Sequence, residues 1–354
     1  MDIIFVANNP GSFNALFPVV RMHARKSLSY RFFVSQFGID RCATEGIRAE
    51  LLSAELLQQL DNLFESERPK VLVSGSSLSH TFLGTAEQKF RDQANKRRVY
   101  SISILDHWTN YRARFSFDGG ETLAALPDMI CVMDERARAE MLECGFADKR
   151  ISVTGSPHLE NVYLDFLGVK NEEIEQLRTQ YMAGHNRLVL FLSEPISSDH
   201  GISERGYDEL SVLGQLRESL ESLNTQQSLC SQLLVKPHPR ESDQKFLSLG
   251  YRTTIPSAAL PLKTLACCDL VVGMTSMLLI EAGLVCLPTL SIQPGSVVHQ
   301  LPFSIPIVTT NLEARTHLQR VLIYETSEPA LSTNRNPFRG ATDRIYSAIV
   351  RNIS

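Results

Sequence analysis

The residues best suited to chemistry stand at the end of an apolar run in the second half of the chain. Lys236 and His238 directly follow residues 232–235, which read as a buried strand. Pro237 and Pro239 fix φ on either side of the histidine and so limit where the imidazole can point. An ammonium and an imidazole at a strand end are suited to binding an anion. We therefore predict that Lys236 and His238 bind a phosphate group, against the alternative of a loop histidine satisfied by backbone carbonyls.

A second apolar run, residues 269–273, is followed by Thr275 and Ser276, which begin a predicted helix. Unpaired N–H groups and a partial positive charge make a helix start favourable for phosphate. Thr275 and Ser276 are therefore predicted phosphate ligands, although both are also favoured helix caps. Glu281 lies inside this apolar helix, where a carboxylate needs a partner. It is a candidate ligand for ribose or sugar hydroxyls, with a structural glutamate as the alternative.

Two further loops of the second half are candidates for the same site. Ser193 opens a loop rich in small hydroxyl residues, whose backbone N–H groups can approach a phosphate. The loop contains no glycine, so an ordinary polar loop is the competing interpretation. Ile255 and Pro256 end another predicted strand, and we predict that their backbone contacts a nucleotide base.

In the first half, Asp106 and His107 follow the predicted strand 99–105. An acid and an imidazole at a strand end are candidates for general base, with Asp106 the first choice and His107 the second. The competing interpretation is a loop ordered by ion pairs between Asp106 and Arg112 or Arg114.

The composition limits the class of protein. The 354 residues exceed one ordinary core, so we expect two domains. A formal net charge of −4 gives no general attraction to nucleic acid. The seven cysteines show no Cys-x-x-Cys pair, and the first residues lack the basic start and long apolar core of a secretory signal, so we expect a cytoplasmic location. The scattered histidines contain no ligand-spaced pair, so no metal site is predicted.

Short apolar runs alternate with helical patterns along the whole chain, which is typical of βαβ units around parallel sheets. We predict an α/β protein with two tandem Rossmann-like domains facing a central cleft. The predicted domains are an acceptor domain at 1–165, a donor domain at 166–335 and a closing C-terminal helix at 336–354. The predicted strands are 3–7, 31–34, 71–74, 99–105, 129–133, 151–154, 188–192, 232–235, 251–254, 270–273, 286–292 and 305–308.

These motifs resemble the GT-B glycosyltransferases, in particular the bacterial group that includes polysialyltransferases, capsular Kdo transferases and CDP-glycerol polymerising enzymes. The resemblance rests on His238-Pro239, on Thr275-Ser276 followed by Glu281-Ala282, and on residues 128–134 and 153–157. It implies metal-independent transfer of a sugar from a nucleotide-sugar to a hydroxyl in bacterial surface polysaccharide synthesis. His238, Thr275 and Ser276 are then expected to hold the donor phosphate, and a base from the N-terminal domain to activate the acceptor.

Two alternatives stay open. The UDP-GlcNAc 2-epimerases and related UDP-sugar hydrolases are similar in fold, and their C-terminal site also joins a helix start to a glutamate. A non-catalytic nucleotide-sugar binder is the third class. The predicted partners are a nucleotide-sugar and a glycan or other hydroxyl acceptor, without nucleic acid and with peripheral membrane association left open. No cofactor is predicted, because the nucleotide-sugar is a substrate.

Overall fold

A computed structural model describes residues 1–26, 28–78, 85–117, 122–182, 184–199, 205–227, 229–254, 261–324 and 336–353. The chain divides into two compact units. The first unit comprises Met1–Asn161 with Asn336–Ser354, and the second comprises Val162–Arg335. Each unit is a parallel sheet with interleaved helices, which confirms the predicted α/β class with two Rossmann-like domains. The acceptor and donor roles assigned to the domains stay predictions.

The first unit contains a seven-stranded parallel sheet with the order β3-β2-β1-β4-β5-β6-β7. Its central strands are buried on both faces, as expected for a parallel sheet covered by helices. The strands are β1 (Ile3–Ala7), β2 (Tyr30–Val34), β3 (Glu50–Leu51), β4 (Val71–Ser74), β5 (Tyr100–Ile104), β6 (Met129–Val132) and β7 (Ile151–Val153).

The described helices of this part are α1 (Pro10–Arg25), α2 (Gln36–Thr44), α3 (Ala54–Gln58), α4 (Leu60–Glu67), α5 (Ala86–Arg97), α6 (Glu135–Glu143) and α7 (Pro157–Leu167). Residues 47–64 have the apolar spacing of a single helix, but they do not form one. Residues 50–51 instead pair with Phe33 and Val34 as the edge strand β3, and Ser53 then caps a new helix through a bond from the Leu56 amide. Tertiary strand pairing therefore overrides the helical pattern of this segment.

The C-terminal segment packs on the first unit through polar contacts as well as through its apolar face. Glu160 accepts hydrogen bonds from the Thr342 amide at 2.9 Å and from the Thr342 hydroxyl at 2.8 Å. Arg344 Nε donates to the Thr154 carbonyl at 2.8 Å. Helix Ala341–Arg351 buries Ile345 and Ile349 in the core of this unit. The last helix thus completes the first core.

The second unit contains a six-stranded parallel sheet with the order β10-β9-β8-β11-β12-β13. Its strands are β8 (Arg187–Leu192), β9 (Ser231–Lys236), β10 (Arg252–Thr253), β11 (Leu270–Gly273), β12 (Thr289–Ile292) and β13 (Ile307–Val308). The described helices from here to the C-terminus are α8 (Asn171–Met182), α9 (Ile196–Asp199), α10 (Glu209–Gln227), α11 (Asp243–Leu247), α12 (Pro261–Ala266), α13 (Met277–Leu284), α14 (Asn311–Gln319), a π-helical turn (Arg320–Tyr324) and α15 (Ala341–Arg351).

Both sheets have the same topology. In each sheet the chain adds two strands to one side of its first strand and then returns to add the fourth on the other side. The order therefore reverses between β1 and β4 in the first unit and between β8 and β11 in the second. Ligands of open α/β sheets bind outside the carboxyl ends of the strands at such a reversal. The loops after these four strands consequently hold the candidate sites.

Candidate functional site

The strand order of the second unit reverses between β8 and β11. There, a carboxylate in the loop after β8 binds the start of the helix that follows β11. Glu194 follows β8, and its side chain accepts hydrogen bonds from the Thr275 amide at 2.6 Å and the Thr275 hydroxyl at 2.7 Å. Burial raises the pKa of Glu194, while hydrogen bonds from Thr275, Ser276 and Met274 act in the opposite direction. Glu194 thus places an internal carboxylate where a phosphate was predicted. Sequence reasoning missed this role, because 81 residues separate the partners.

The predicted hydroxyl ligands have local roles in the structure. The Ser276 hydroxyl caps α13 by accepting from the Leu279 amide at 3.2 Å. The Ser193 hydroxyl is buried and has no hydrogen-bond partner among the described residues. The Ser193 amide donates to the Lys236 carbonyl at 3.0 Å, which ties the end of β8 to the end of β9. Capping leaves the Ser276 hydroxyl proton available for donation, so its phosphate role stays a prediction, as does that of Ser193.

Lys236 is the last residue of β9 and lies half-buried at the carboxyl edge of the sheet. Its ammonium has no hydrogen-bond or ion-pair partner in the part of the chain that the structure describes. Burial lowers the pKa of Lys236, and the charges of Glu281 and Asp243 partly restore it. Glu281 is buried on α13, at the position predicted to bind sugar hydroxyls. The fold therefore brings together a half-buried cation and a carboxylate that acts on it.

His238 lies in the turn that follows β9. Its Nδ1 accepts a hydrogen bond from the Arg240 amide at 3.2 Å, and its own amide donates to Glu241 Oε2 at 3.0 Å. Because Nδ1 accepts, the neutral ring carries its proton on Nε2. Such a ring can donate one hydrogen bond to an anion. Ile255 and Pro256, the predicted base contacts, lie outside the described residues.

In the first unit, the predicted catalytic carboxylate is held by an arginine. Asp106 Oδ1 accepts from Arg114 Nη1 at 2.5 Å and from the Ser76 hydroxyl at 3.3 Å, and both charged side chains are nearly buried. Asp106 Oδ2 lies so close to Gly11 that a Cβ there would approach it to 2.2 Å. This arrangement matches the competing interpretation of an ion-paired loop. The Nδ1 of His107 is 3.0 Å from the Thr109 hydroxyl. The catalytic roles of Asp106 and His107 stay predictions.

A buried glutamate also binds the two loops at the reversal of the first sheet. Glu87, on α5, accepts from the Asn8 amide at 2.9 Å and from the Ser77 amide at 2.6 Å. Burial raises its pKa, opposed by these hydrogen bonds and by the charge of Arg91. Arg91 is fully buried and donates to the Gly75 carbonyl at 3.0 Å, and burial lowers its pKa to about 10. Neither Glu87 nor Arg91 was predicted from the sequence to belong to a site.

The described residues contain no group of three or more histidine, cysteine, aspartate or glutamate side chains arranged to hold a metal ion. None of the described helices combines the length and the apolar character that crossing a membrane requires.

The fold is that of known nucleotide-sugar enzymes. The UDP-bound MnaA structure from S. aureus matches with a TM-score of 0.69 at 13% identity, over 100% of this chain and 98% of that one. UDP-GlcNAc 2-epimerase from Neisseria meningitidis bound to UDP-GlcNAc matches with a TM-score of 0.68 at 12% identity, over 99% and 100%. UDP-GlcNAc 2-epimerase from Methanocaldococcus jannaschii matches with a TM-score of 0.68 at 13% identity, over 99% of each chain. No protein-family model matches the chain, and no curated protein matches it significantly.

These likenesses confirm an α/β two-domain GT-B-like fold, a fold that glycosyltransferases share. They do not show the His-Pro motif group, which the resemblance had singled out. The prediction of a glycosyltransferase is wrong, because UDP-GlcNAc 2-epimerases are among the most similar structures, and these favour the UDP-sugar 2-epimerase alternative. The epimerase and MnaA structures contain UDP-GlcNAc or UDP, and they give no support to a glycan or other hydroxyl acceptor.

Proposed function

We propose that this protein binds a UDP-sugar at the carboxyl edge of the second sheet and acts on it as a UDP-sugar 2-epimerase or hydrolase. The observation that carries the proposal is the half-buried Lys236 ammonium, which has no partner among the described residues. Glu281 and Asp243 influence this ammonium without forming an ion pair with it. A partly buried cation is costly without a directly bonded counter-charge, and a diphosphate would provide one. Solved structures with this fold contain UDP or UDP-GlcNAc, which gives the ligand class.

The residues of the second unit then divide the work of binding. Lys236 contributes a permanent positive charge, and His238 donates from Nε2 to a phosphate oxygen. Ser276, at the start of α13, donates through its hydroxyl, and Glu281 accepts from a sugar or ribose hydroxyl. Charge-assisted hydrogen bonds of this kind are about twice as strong as neutral ones, so Lys236 and His238 should dominate the affinity.

Calorimetric titration with UDP, CDP and CMP tests the binding. Lys236→Met keeps the aliphatic stem and removes the charge, and we expect the dissociation constant for UDP to rise about 10- to 100-fold, the effect of a lost hydrogen bond to a charged group. The matched control is Lys263→Met, because Lys263 belongs to the same unit but pairs with Glu173 at 2.8 Å. Equal affinity of both variants and the native protein would remove the main support for the proposal.

Product analysis tests the reaction. Inversion at carbon 2 requires its C–H bond to be broken and remade, so UDP-GlcNAc incubated in deuterated water should gain deuterium at that carbon. Hydrolysis would instead release free UDP, which phosphorus NMR detects. Binding of UDP-GlcNAc without either change would leave a non-catalytic nucleotide-sugar binder, a class that the pairing of Asp106 with Arg114 favours.

A further inference from the structure

A cluster of three charged side chains, Glu209, Lys245 and Glu241, joins two loops at the carboxyl edge of the second sheet. At one end, Glu209 accepts from the Ser197 amide at 2.9 Å and from the Ser197 hydroxyl at 2.6 Å, in the segment that follows β8. Lys245, on α11, donates to Glu209 and also to Glu241 Oε1 at 2.7 Å. At the other end, Glu241 Oε2 accepts from the His238 amide at 3.0 Å.

The two carboxylates of the cluster are buried, although Lys245 is partly exposed. The side chains of Glu209 and Glu241 are 1% and 4% exposed. Removing carboxylates from water is unfavourable unless their interactions offset the cost. Glu313 performs similar backbone capping at an exposed position, where it accepts from the Thr309 and Thr310 amides. The burial of Glu209 and Glu241 therefore points to a role beyond closing a turn.

Glu209 and Lys245 stay charged near neutral pH. Burial alone would raise the pKa of Glu209, but hydrogen bonds from Lys245 and Ser197 outweigh it and bring the pKa below the usual value. Burial alone would lower the pKa of Lys245, but its bonds to Glu209 and Glu241 raise it. A charged cluster holds its hydrogen-bonding partners more firmly than a neutral one.

The backbone around His238 and the orientation of its ring are both restricted. Pro237 and Pro239 fix φ on both sides of the histidine, and a residue that precedes proline is itself restricted. The bond to Glu241 then fixes the His238 amide, while the Arg240 amide fixes ring Nδ1. With the backbone and one ring nitrogen held, the direction of Nε2–H is set.

We propose that Glu241 is a positioning residue for His238, held by Lys245 and Glu209, so that the imidazole presents its Nε2–H to a phosphate of the bound UDP-sugar. The inference rests on the proposed function for the identity of the ligand. The orientation of the ring is a property of the ligand-free protein and can be measured without it.

The test uses the full chain and two readouts. Histidine-ring NMR of the ligand-free protein reports the His238 tautomer, and calorimetry reports the affinity for UDP. Glu241→Gln keeps an acceptor for the His238 amide, so we expect the native tautomer and an affinity near the native value. Glu241→Ala removes the acceptor, and we expect a mixed tautomer and a dissociation constant about tenfold higher, as for one weakened charge-assisted hydrogen bond. Glu313→Ala, the matched control, should change neither readout.

Glu241→Asp keeps the charge but shortens the side chain, so it serves if the alanine variant does not fold, and the same ring change is expected. An unchanged tautomer with unchanged affinity in a folded Glu241→Ala or Glu241→Asp protein would overturn the inference. Absence of UDP binding by the native protein would instead defeat the proposed function, while the ring measurement would still decide whether Glu241 positions His238.

Discussion

The two units share a strand order but use its reversal point differently. In the first unit, Glu87 reaches in from a helix, is fully buried, and acts together with the buried Arg91. In the second, Glu194 stands on the loop itself, remains partly exposed, and binds the start of α13. Only in the second does a half-buried cation without a partner among the described residues, Lys236, lie at the adjoining strand end.

The difference separates a scaffold from a binding site. Charges that satisfy each other inside the protein stabilise one loop arrangement and have no need of a ligand. A half-buried cation that has no hydrogen-bond or ion-pair partner among the described residues is stabilised when an anion binds to it. We therefore interpret the reversal in the first unit as structural and the one in the second as the place for a phosphate. The following variants test this difference between the two units.

The largest effect is a loss of folding stability, expected for Arg91→Met. It removes the guanidinium that bonds to the Gly75 carbonyl and leaves Glu87 without its nearby positive charge. Leaving a buried charge uncompensated in this way costs about 3–5 kcal/mol, which urea unfolding would measure. Arg97→Met is the control, because Arg97 pairs with an exposed Asp61. A stable Arg91→Met protein that loses UDP affinity would reverse the contrast between the units.

The next largest effect is a pH dependence of folding stability that arises from the first unit. His23 is fully buried between Phe5 and Tyr346, with ring centroids 5.4 and 4.5 Å away, and burial lowers its pKa from 6.5 to about 4. Above pH 6.5 the ring is neutral in both states, so its contribution to stability is fully present. Between 6.5 and about 4 the unfolded chain binds a proton that the folded chain does not, and stability is lost as the pH falls.

The total loss is about 3 kcal/mol, at about 1.4 kcal/mol for each unit of pKa. Urea unfolding at a series of pH values should show this slope in the native protein and a flatter one in His23→Leu. An equal slope in both proteins would show that other groups dominate the acid sensitivity.

The smallest effect is an increase in UDP affinity, expected when Glu194 is replaced by glutamine. Glu194→Gln preserves an acceptor for Thr275 but removes a negative charge beside the predicted phosphate. We expect UDP to bind about fivefold more tightly, a gain of about 1 kcal/mol and a small part of the Coulomb energy of two adjacent like charges. Glu87→Gln should leave the affinity unchanged, since that carboxylate belongs to the other unit. Weaker binding in Glu194→Gln would mean that the carboxylate itself contacts the ligand.

The sequence alone determined the architecture. Strands β1, β4 and β11 run over the residues predicted for them, because strands buried on both faces appear as continuous apolar runs between turn residues. The alternation of strand and helix then allows few arrangements other than two parallel sheets, since crossover connections are strongly restricted. The sequence also placed His238 and Thr275 at strand ends, where the structure has them.

Only the tertiary structure decided which polar groups meet. The order of the second sheet makes β8 the neighbour of both β9 and β11, so Glu194 reaches Thr275 across 81 residues of chain. Lys245 reaches Glu209 across 36 residues in the same way. Apolar periodicity reports which residues are buried but carries no information on their partners. A carboxylate near a strand end therefore looks the same in the sequence whether it is available as a general base, as predicted for Asp106, or is already held by an arginine.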